Sequence, residues 1–542
     1  MDIEVRFSLL DSAWIQVLTT DGAVEELSLR ELFARADEVV ELLGESPTQS
    51  FAIMRLLLAI VHRAVDGPSP RGWGDLFEAG ALPVASIKEY LDRHADRFWL
   101  FHPSTPFYQV VGLRSAKDEV SGLEKLISDV PTGGPLFIGR SGTALERISF
   151  AEATRWLVQL QGYDVSGIKT GAVGDPRVKG GKGYPIGTGH AGALGGVYVR
   201  GGNLTETLLL NLVSDRDVGT AVWERPPHTS APEGTAAVER RPTGVADLYT
   251  WQSRRIRLVC DGEAVTGVVV ANGDRLPAHE TFPLEPMTMW RRSRIQEKKL
   301  GLPLVYFPRL HDPEKSLWRS AESLLPAPPA GTANAEPDFR PPGVVEHLET
   351  QADADAFGQQ TSTVTLRAVG MQYGTQNAVT NEVVTDDLEF QAALLRETHP
   401  ELRRLVRDAV EAAVEACKAV GLFAADLVRA AGGDSFAQVA QRDRAREAGY
   451  HAIDGEFREW LSGLGEHTDV EDAAIDWQQR AGRALRRLKH GLIAATPPSA
   501  YRGRTEDDRQ INVATAERWL NHRLRKALPK AHASDETREV AA

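Results

Sequence analysis

Residues 401–420 read ELRRLVRDAVEAAVEACKAV. Leu402, Leu405, Val406, Val410, Ala413, Cys417 and Val420 recur three and four positions apart. That spacing lines one face of an α-helix with apolar side chains. The pattern returns three times downstream. Phe457, Trp460, Leu461 and Leu464 mark a second helix, Leu485, Leu488 and Leu492 a third, and Trp519, Leu520, Leu524 and Leu528 a fourth. Gly432-Gly433, Gly463 to Gly465 and Pro497-Pro498 punctuate them. Long helices with short connections predict a four-helix bundle over residues 386–542, with a disordered tail from about Ala531.

Toward the N-terminus the texture changes to short strands and helices. Val5–Leu10 and Trp14–Thr19 read as strands, and Asp21-Gly22 as a hairpin turn. Ser28-Leu-Arg-Glu31 is a capping box, expected to open a helix to about Leu43. Thr48–Val65 is apolar almost all round, the mark of a buried helix. Ser149-Phe-Ala-Glu152 caps another helix, to about Gln161. Residues 215–243 read as loop. Ile256–Cys260 and Val265–Val270 are strands around Asp261-Gly262, and Asn272-Gly273 is a turn signal that places Arg275 on a hairpin. Ser316–Leu325 reads as a short helix within this part, followed by a proline-rich linker. The expected class is therefore α+β: a mixed α/β globular domain over 1–385, then the bundle.

Bulk numbers exclude several classes. A chain of 542 residues has ample length for more than one core. Its formal net charge of −13 means that nucleic-acid binding has to come from local basic patches. Two cysteines, Cys260 and Cys417, cannot form a four-cysteine zinc site or a disulfide framework. The longest apolar block, Phe51–Val61, is too short to span a bilayer. The opening MDIEVRFSLL lacks a signal-peptide pattern, so a cytoplasmic protein without membrane contact is expected.

The run from Gly171 to Gly202 holds 12 of the chain's 48 glycines, so it needs its own explanation. Arg177, Lys179, Lys182 and Arg200 sit among them. Backbone N–H groups flanked by cations make a concavity for anions. The plainer reading is a surface loop that collects glycine for its turns. Gly187-Thr-Gly189-His-Ala-Gly192 matches a dinucleotide fingerprint only in its glycines, since no strand precedes it and no helix follows. Gly181-Lys182 is no phosphate loop, because Gly183 follows where Ser or Thr is required. His311-Asp312 lacks further metal-ligand partners in sequence, and no nucleophile elbow occurs. No catalytic residue, cofactor or metal is expected. A nucleotide-binding enzyme and a scaffold without DNA contact remain as alternatives.

Several segments, in order, resemble one family. They are FSLLDSAWIQVLTTDG (7–22), PTQSFAIMRLLLAIVHRA (47–64), STPFYQV (104–110), LEKLISDVPTGG (123–134), VYVRGGNLTETLLLNLV (197–213), TWQSRRIRLVCDG (250–262) and GMQYGTQNA (370–378). The family is CasA, the large subunit of the type I-E CRISPR surveillance complex Cascade. The resemblance implies a protein that reads the protospacer-adjacent motif of duplex DNA from the minor groove and helps open the strands. It implies that Gly180, Gly181, Lys182 and Gly183 form a loop against that groove. It implies Arg275 as the hairpin cation and Gln376, with Asn377 beside it, as a wedge. The loop 135–141 would meet the guide RNA through Phe137 and Arg140. Implied partners are the CRISPR guide RNA, double-stranded target DNA, the other Cascade subunits and a helicase–nuclease. Some relatives carry zinc-binding cysteine pairs. This chain has neither pair, so no zinc is expected.

Overall fold

A computed structural model describes residues 6–128, 146–235, 238–326, 336–353, 363–506 and 508–532. The chain is α+β and divides into two units. The first comprises Met1–Lys315, Asn334–Gln360 and Thr365–Asp387, and the second Ser316–Ala333, Thr361–Val364 and Leu388–Ala542.

In the first unit, β1 (Ile15–Thr19) pairs with β2 (Val24–Leu27) across the Asp21-Gly22 turn. On its other edge it pairs with β3 (Val39–Leu43), and all pairs are antiparallel. The Ser28 capping box forms: Glu31 N–H donates to Ser28 Oγ at 3.3 Å, and Ser28 N–H to Glu31 Oε2 at 2.9 Å. Its helix ends at Ala34, however, well before Leu43. Val39 and Val40 are β-branched and suit the strand that replaces the expected last turns. Of the strand expected at Val5–Leu10, the described residues 6–10 form only a bridge from Ser8 to Trp99.

The apolar block becomes α1 (Pro47–Ala64), whose Phe51, Ile53, Leu56, Leu57 and Ile60 are all buried. It packs on α2 (Phe150–Tyr163), capped by Ser149 Oγ accepting from Glu152 N–H at 3.1 Å. Two sheets complete the frame of the site. In one, β4 (Gly196–Arg200) pairs with a later strand, β7 (Thr363–Tyr373), which in turn pairs with β8 (Thr380–Gln391). The other is the hairpin of β5 (Arg254–Cys260) and β6 (Val265–Asn272). Among the described residues of 215–243, expected as loop, there is a single helical turn at Val222–Glu224 and a two-residue ladder, Gly234–Thr235 with Val238–Glu239. At the centre Arg55 binds Glu285 through two 2.8 Å hydrogen bonds, and His190 Nε2 lies 3.0 Å from the same carboxylate.

The second unit holds α3 (Pro400–Ala430), α4 (Ser435–Ser462), α5 (Val470–Ala494) and α6 (Val513–Ala527). Leu402, Leu405, Val406, Ala413, Cys417 and Val420 of the expected stripe are buried, and Val410 is half-buried. A short helix, Pro498–Arg502, and a small ladder, Arg504–Glu506 with Arg509–Ile511, precede α6. One expectation changes: residues 316–325 group with this unit and not with the N-terminal part. The reason is Trp318. Its ring stacks on Phe457 at 4.3 Å, and its indole N–H donates to Asp454 at 2.7 Å. Nothing within the local sequence marks that distant partner. Among the described residues, no helix is long and apolar enough to cross a membrane.

Candidate nucleic-acid interface

Lys169–Thr170 pairs antiparallel with Lys182–Gly183, and Lys179 and Lys182 exchange backbone hydrogen bonds at 3.1 Å in both directions. Between them lie Gly180 at φ 57° and Gly181 at φ 74°. Two successive left-handed residues define the two-residue hairpin turn for which glycine is the natural choice. A Cβ built on either glycine meets nothing within 4 Å. The turn therefore stands clear of its own protein, with Lys179 and Lys182 exposed on its flanks. Among the described residues neither lysine forms an ion pair.

Several other glycines of the run face inward, which corrects the expectation that the whole stretch lies against a polyanion. A Cβ on Gly189 would stand 2.4 Å from the carbonyl carbon of Gly162, and one on Gly195 would stand 2.1 Å from Arg309 O. These glycines let backbone pass backbone inside the fold. Two of the four cations are likewise engaged by the protein's own carboxylates. Arg177 grips Asp175 at 2.9 and 3.0 Å and donates to the carbonyls of Asn272 and Gly273 at 3.1 and 2.9 Å. Arg200 pairs with Asp387 at 3.1 Å. His311, of the His-Asp pair, has Nε2 2.8 Å from Gly196 O, a structural role.

The second expected loop is corrected as well. Asn272-Gly273 is not a hairpin turn. Gly273 N–H donates to Ser253 O and Asp274 N–H to Gln252 O, both at 3.0 Å, so the ladder continues past the end of β6. Glycine is required there because a Cβ would meet Gln252 O at 2.3 Å. The β5–β6 turn lies at the opposite end, at Asp261-Gly262. Arg275 is exposed, but on the segment leaving the ladder and not on a hairpin tip. Asn272 does serve the site, since its Nδ2 donates to Tyr184 O at 2.6 Å and holds the strand that returns from the Gly180-Gly181 turn.

Gln376 and Asn377 form the tip between β7 and β8, and both are exposed. Both adopt left-handed backbone, at φ 56° and 55°. Such a conformation costs an L-residue about 1–2 kcal/mol. Local hydrogen bonds over-determine it: Gly374 N–H donates to Val379 O, and Asn377 N–H to Gly374 O, both at 2.9 Å. One further bond ties this tip to the glycine turn. Ser166 N–H donates to Asn377 O at 2.7 Å, and Lys169, three residues on, begins the ladder under the turn. Three residues span at most about 10 Å. Below them, Tyr373 donates its hydroxyl to Tyr163 O at 2.7 Å.

The base of this platform is a charged knot that sequence reading missed. Asp164 receives Lys169 Nζ at 2.6 Å and Arg254 Nε, and Arg254 also donates to Gly187 O at 2.8 Å. Burial pushes the Lys169 ammonium below the ordinary lysine value, against the pull of Asp164. The available signal was Arg254-Arg255 within an apolar strand, because two adjacent arginines on opposite faces both need buried partners. Phe137 and Arg140 lie outside the described residues.

Comparison with known proteins gives this geometry its context. The family model for CRISPR-associated protein Cse1 matches residues 8–488. A Thermus thermophilus CRISPR-associated protein, CasA/Cse1, is 31% identical over 375 residues, which cover 67% of each chain. The crystal structure of Thermobifida fusca Cse1 superposes with a TM-score of 0.89 at 42% identity, over 97% of this chain and 99% of that one. A chain of a structure described as a CRISPR RNA-guided surveillance complex shares the fold at 19% identity and a TM-score of 0.67, over 90% and 99% of the two chains. The chain belongs to the CasA/Cse1 family, as its ordered segments indicate.

Proposed function

We propose that this protein is the DNA-recognition subunit of a type I-E Cascade complex, and that it works by binding and not by catalysis. The observation that carries the reading is the tether between two exposed tips: the Lys179–Lys182 turn and the Gln376-Asn377 tip joined through Ser166. In the reading, Gly180 and Gly181 lay bare backbone into a minor groove about 6 Å wide, where side chains do not fit. Lys182 supplies the cation, and Gly183 seats the strand beneath. Gln376, with Asn377 beside it, enters the stack next to the motif and holds the first pair apart. Wedges in other DNA-bending proteins unstack steps in the same way. Arg275 contributes positive charge from an adjacent segment. Phe137 and Arg140 meet the guide RNA, whose pairing reads the remaining sequence. The other Cascade subunits and a helicase–nuclease dock on the same protein.

The test is duplex binding by the guide-loaded complex, with and without this chain, across motif variants and a salt series. Phosphate contacts alone fall steeply with salt and ignore sequence. Motif-dependent binding that requires this chain, with strand opening lost in Gln376→Ala, supports the proposal. Binding indifferent to both motif and chain refutes it.

A further inference from the structure

Behind the platform, His228, Glu233 and Asp274 bring one donor atom each to within 4.8 Å of one another. His228 Nδ1 is 2.8 Å from Glu233 Oε1, while its Nε2 has no hydrogen-bond partner. Asp274 Oδ2 also has none, although that side chain is only 3% exposed. A buried carboxylate oxygen without a partner is costly unless something else binds it.

The outer oxygens are already committed. Asp274 Oδ1 accepts from Arg255 at 2.9 Å and from Glu233 N–H at 2.8 Å. Glu233 Oε2 is held by Arg225, and by Arg240 Nε at 3.1 Å. Arg240 also pairs with Asp247 at 2.7 Å. Each carboxylate thus has one oxygen fixed by guanidinium groups, while Glu233 Oε1 faces His228 Nδ1 and Asp274 Oδ2 is left without a partner. Partners of this kind orient metal ligands from outside the donor shell.

We infer that His228, Glu233 and Asp274 bind one divalent cation, Zn²⁺. An imidazole nitrogen and two carboxylate oxygens are donors that Zn²⁺ takes. Bonds of about 2.0–2.2 Å in a tetrahedral shell set donors about 3.3 Å apart, within the spread of these atoms. The fourth position takes water. The sequence argument against zinc counted cysteines, and this donor set uses none. Its consequence is mechanical. Ser230, between His228 and Glu233, donates to Val173 O at 2.7 Å, and Asp274 follows the Asn272-Gly273 carbonyls that Arg177 grips. The ion therefore fastens the 228–233 strap to the base of the glycine turn.

The test uses the full chain without an affinity tag, stripped with chelator and titrated with Zn²⁺. Metal content is read by mass spectrometry after desalting. We expect one Zn²⁺ per chain, unchanged in Cys260→Ser and lost in His228→Gln. At a hundredfold excess over Kd the melting temperature of the wild-type protein should rise by about 3 °C. His228→Gln should lose that rise and keep its metal-free melting temperature. Wild-type protein that retains no Zn²⁺, or equal Zn²⁺ in wild type and His228→Gln, overturns the inference. Loss of the ion in Cys260→Ser overturns it too.

Discussion

Gly180 and Gly181 carry two explanations that one perturbation separates. Their positive φ values, 57° and 74°, demand glycine for the turn alone. The groove reading demands in addition that no side chain project from them. Replacing both with asparagine keeps the first condition and removes the second. Asparagine tolerates left-handed backbone, and Asn377 of this same chain holds φ 55°. A Cβ at either position meets no neighbour within 4 Å, so nothing in the free protein resists the change. We expect the double variant to lose no more than about 1 kcal/mol of stability by urea unfolding, where alanine would cost about 1–2 kcal/mol per site. Bound to a groove about 6 Å wide, the two added side chains have no room. Motif-dependent duplex affinity of the reconstituted complex should fall at least about tenfold, or ~1.4 kcal/mol. Because Lys179 and Lys182 remain, the slope of affinity against salt should not change. The assay is fluorescence anisotropy of a labelled motif duplex across a salt series. A folded double variant that binds within twofold of wild type would show that these glycines serve only the turn, and the minor-groove argument would fail.

Three further outcomes follow from the packing. Glu285→Gln strands the buried Arg55 guanidinium and should cost about 3–5 kcal/mol in denaturant unfolding. A loss below 1 kcal/mol would mean that the central ion pair is not closed in solution. His62 is fully buried with neither ring nitrogen partnered, and burial lowers its pKa to about 3. The unfolded imidazole titrates near 6.5, so below that pH the unfolded state binds the extra proton and stability falls by up to about 1.4 kcal/mol per pH unit. His62→Leu should flatten stability between pH 6 and 4, and a wild-type profile flat over that range would refute the assignment. Trp318→Ala removes a fully buried ring and should destabilise the helical unit by about 3–5 kcal/mol. Calorimetry in which the transition of that unit is unmoved would contradict its stacking on Phe457.

The sequence carried the fold unevenly, for physical reasons. Helix periodicity is local, so the stripe from Leu402 to Val420 and the caps at Ser28 and Ser149 were legible from a few residues each. Strand assignment depended on partners elsewhere. Val39–Leu43 looked like a continuation of a helix until β1 is seen to pair with it. Asn272-Gly273 carried the residues of a turn, yet its glycine answers a backbone contact with Gln252, 21 positions upstream. The site divided the same way. The tips were visible as unusual composition, whereas Arg177, Asn272 and Asp164, which hold them, act across contacts that no local pattern encodes.

That division bears on how the interface works. A tip that reads DNA has to present groups that are unsatisfied by its own protein, while a tip that resists a duplex has to be rigid. These demands conflict within one loop, because the hydrogen bonds that stiffen a short turn use up the groups that would meet a ligand. Here they are separated in space. Gly180, Gly181 and Gln376 are exposed, with open space beside both glycines. Rigidity comes from below, through Arg177 on the Asn272-Gly273 carbonyls, Asn272 on Tyr184 and Ser166 on Asn377. Asp164 pins Lys169 and Arg254 beneath all three. Under the proposed function, a duplex that pushes on one tip loads the other through the Ser166–Lys169 segment. In that reading, recognising the motif and parting the strands are coupled through this segment, and damage to the buried base should weaken both together.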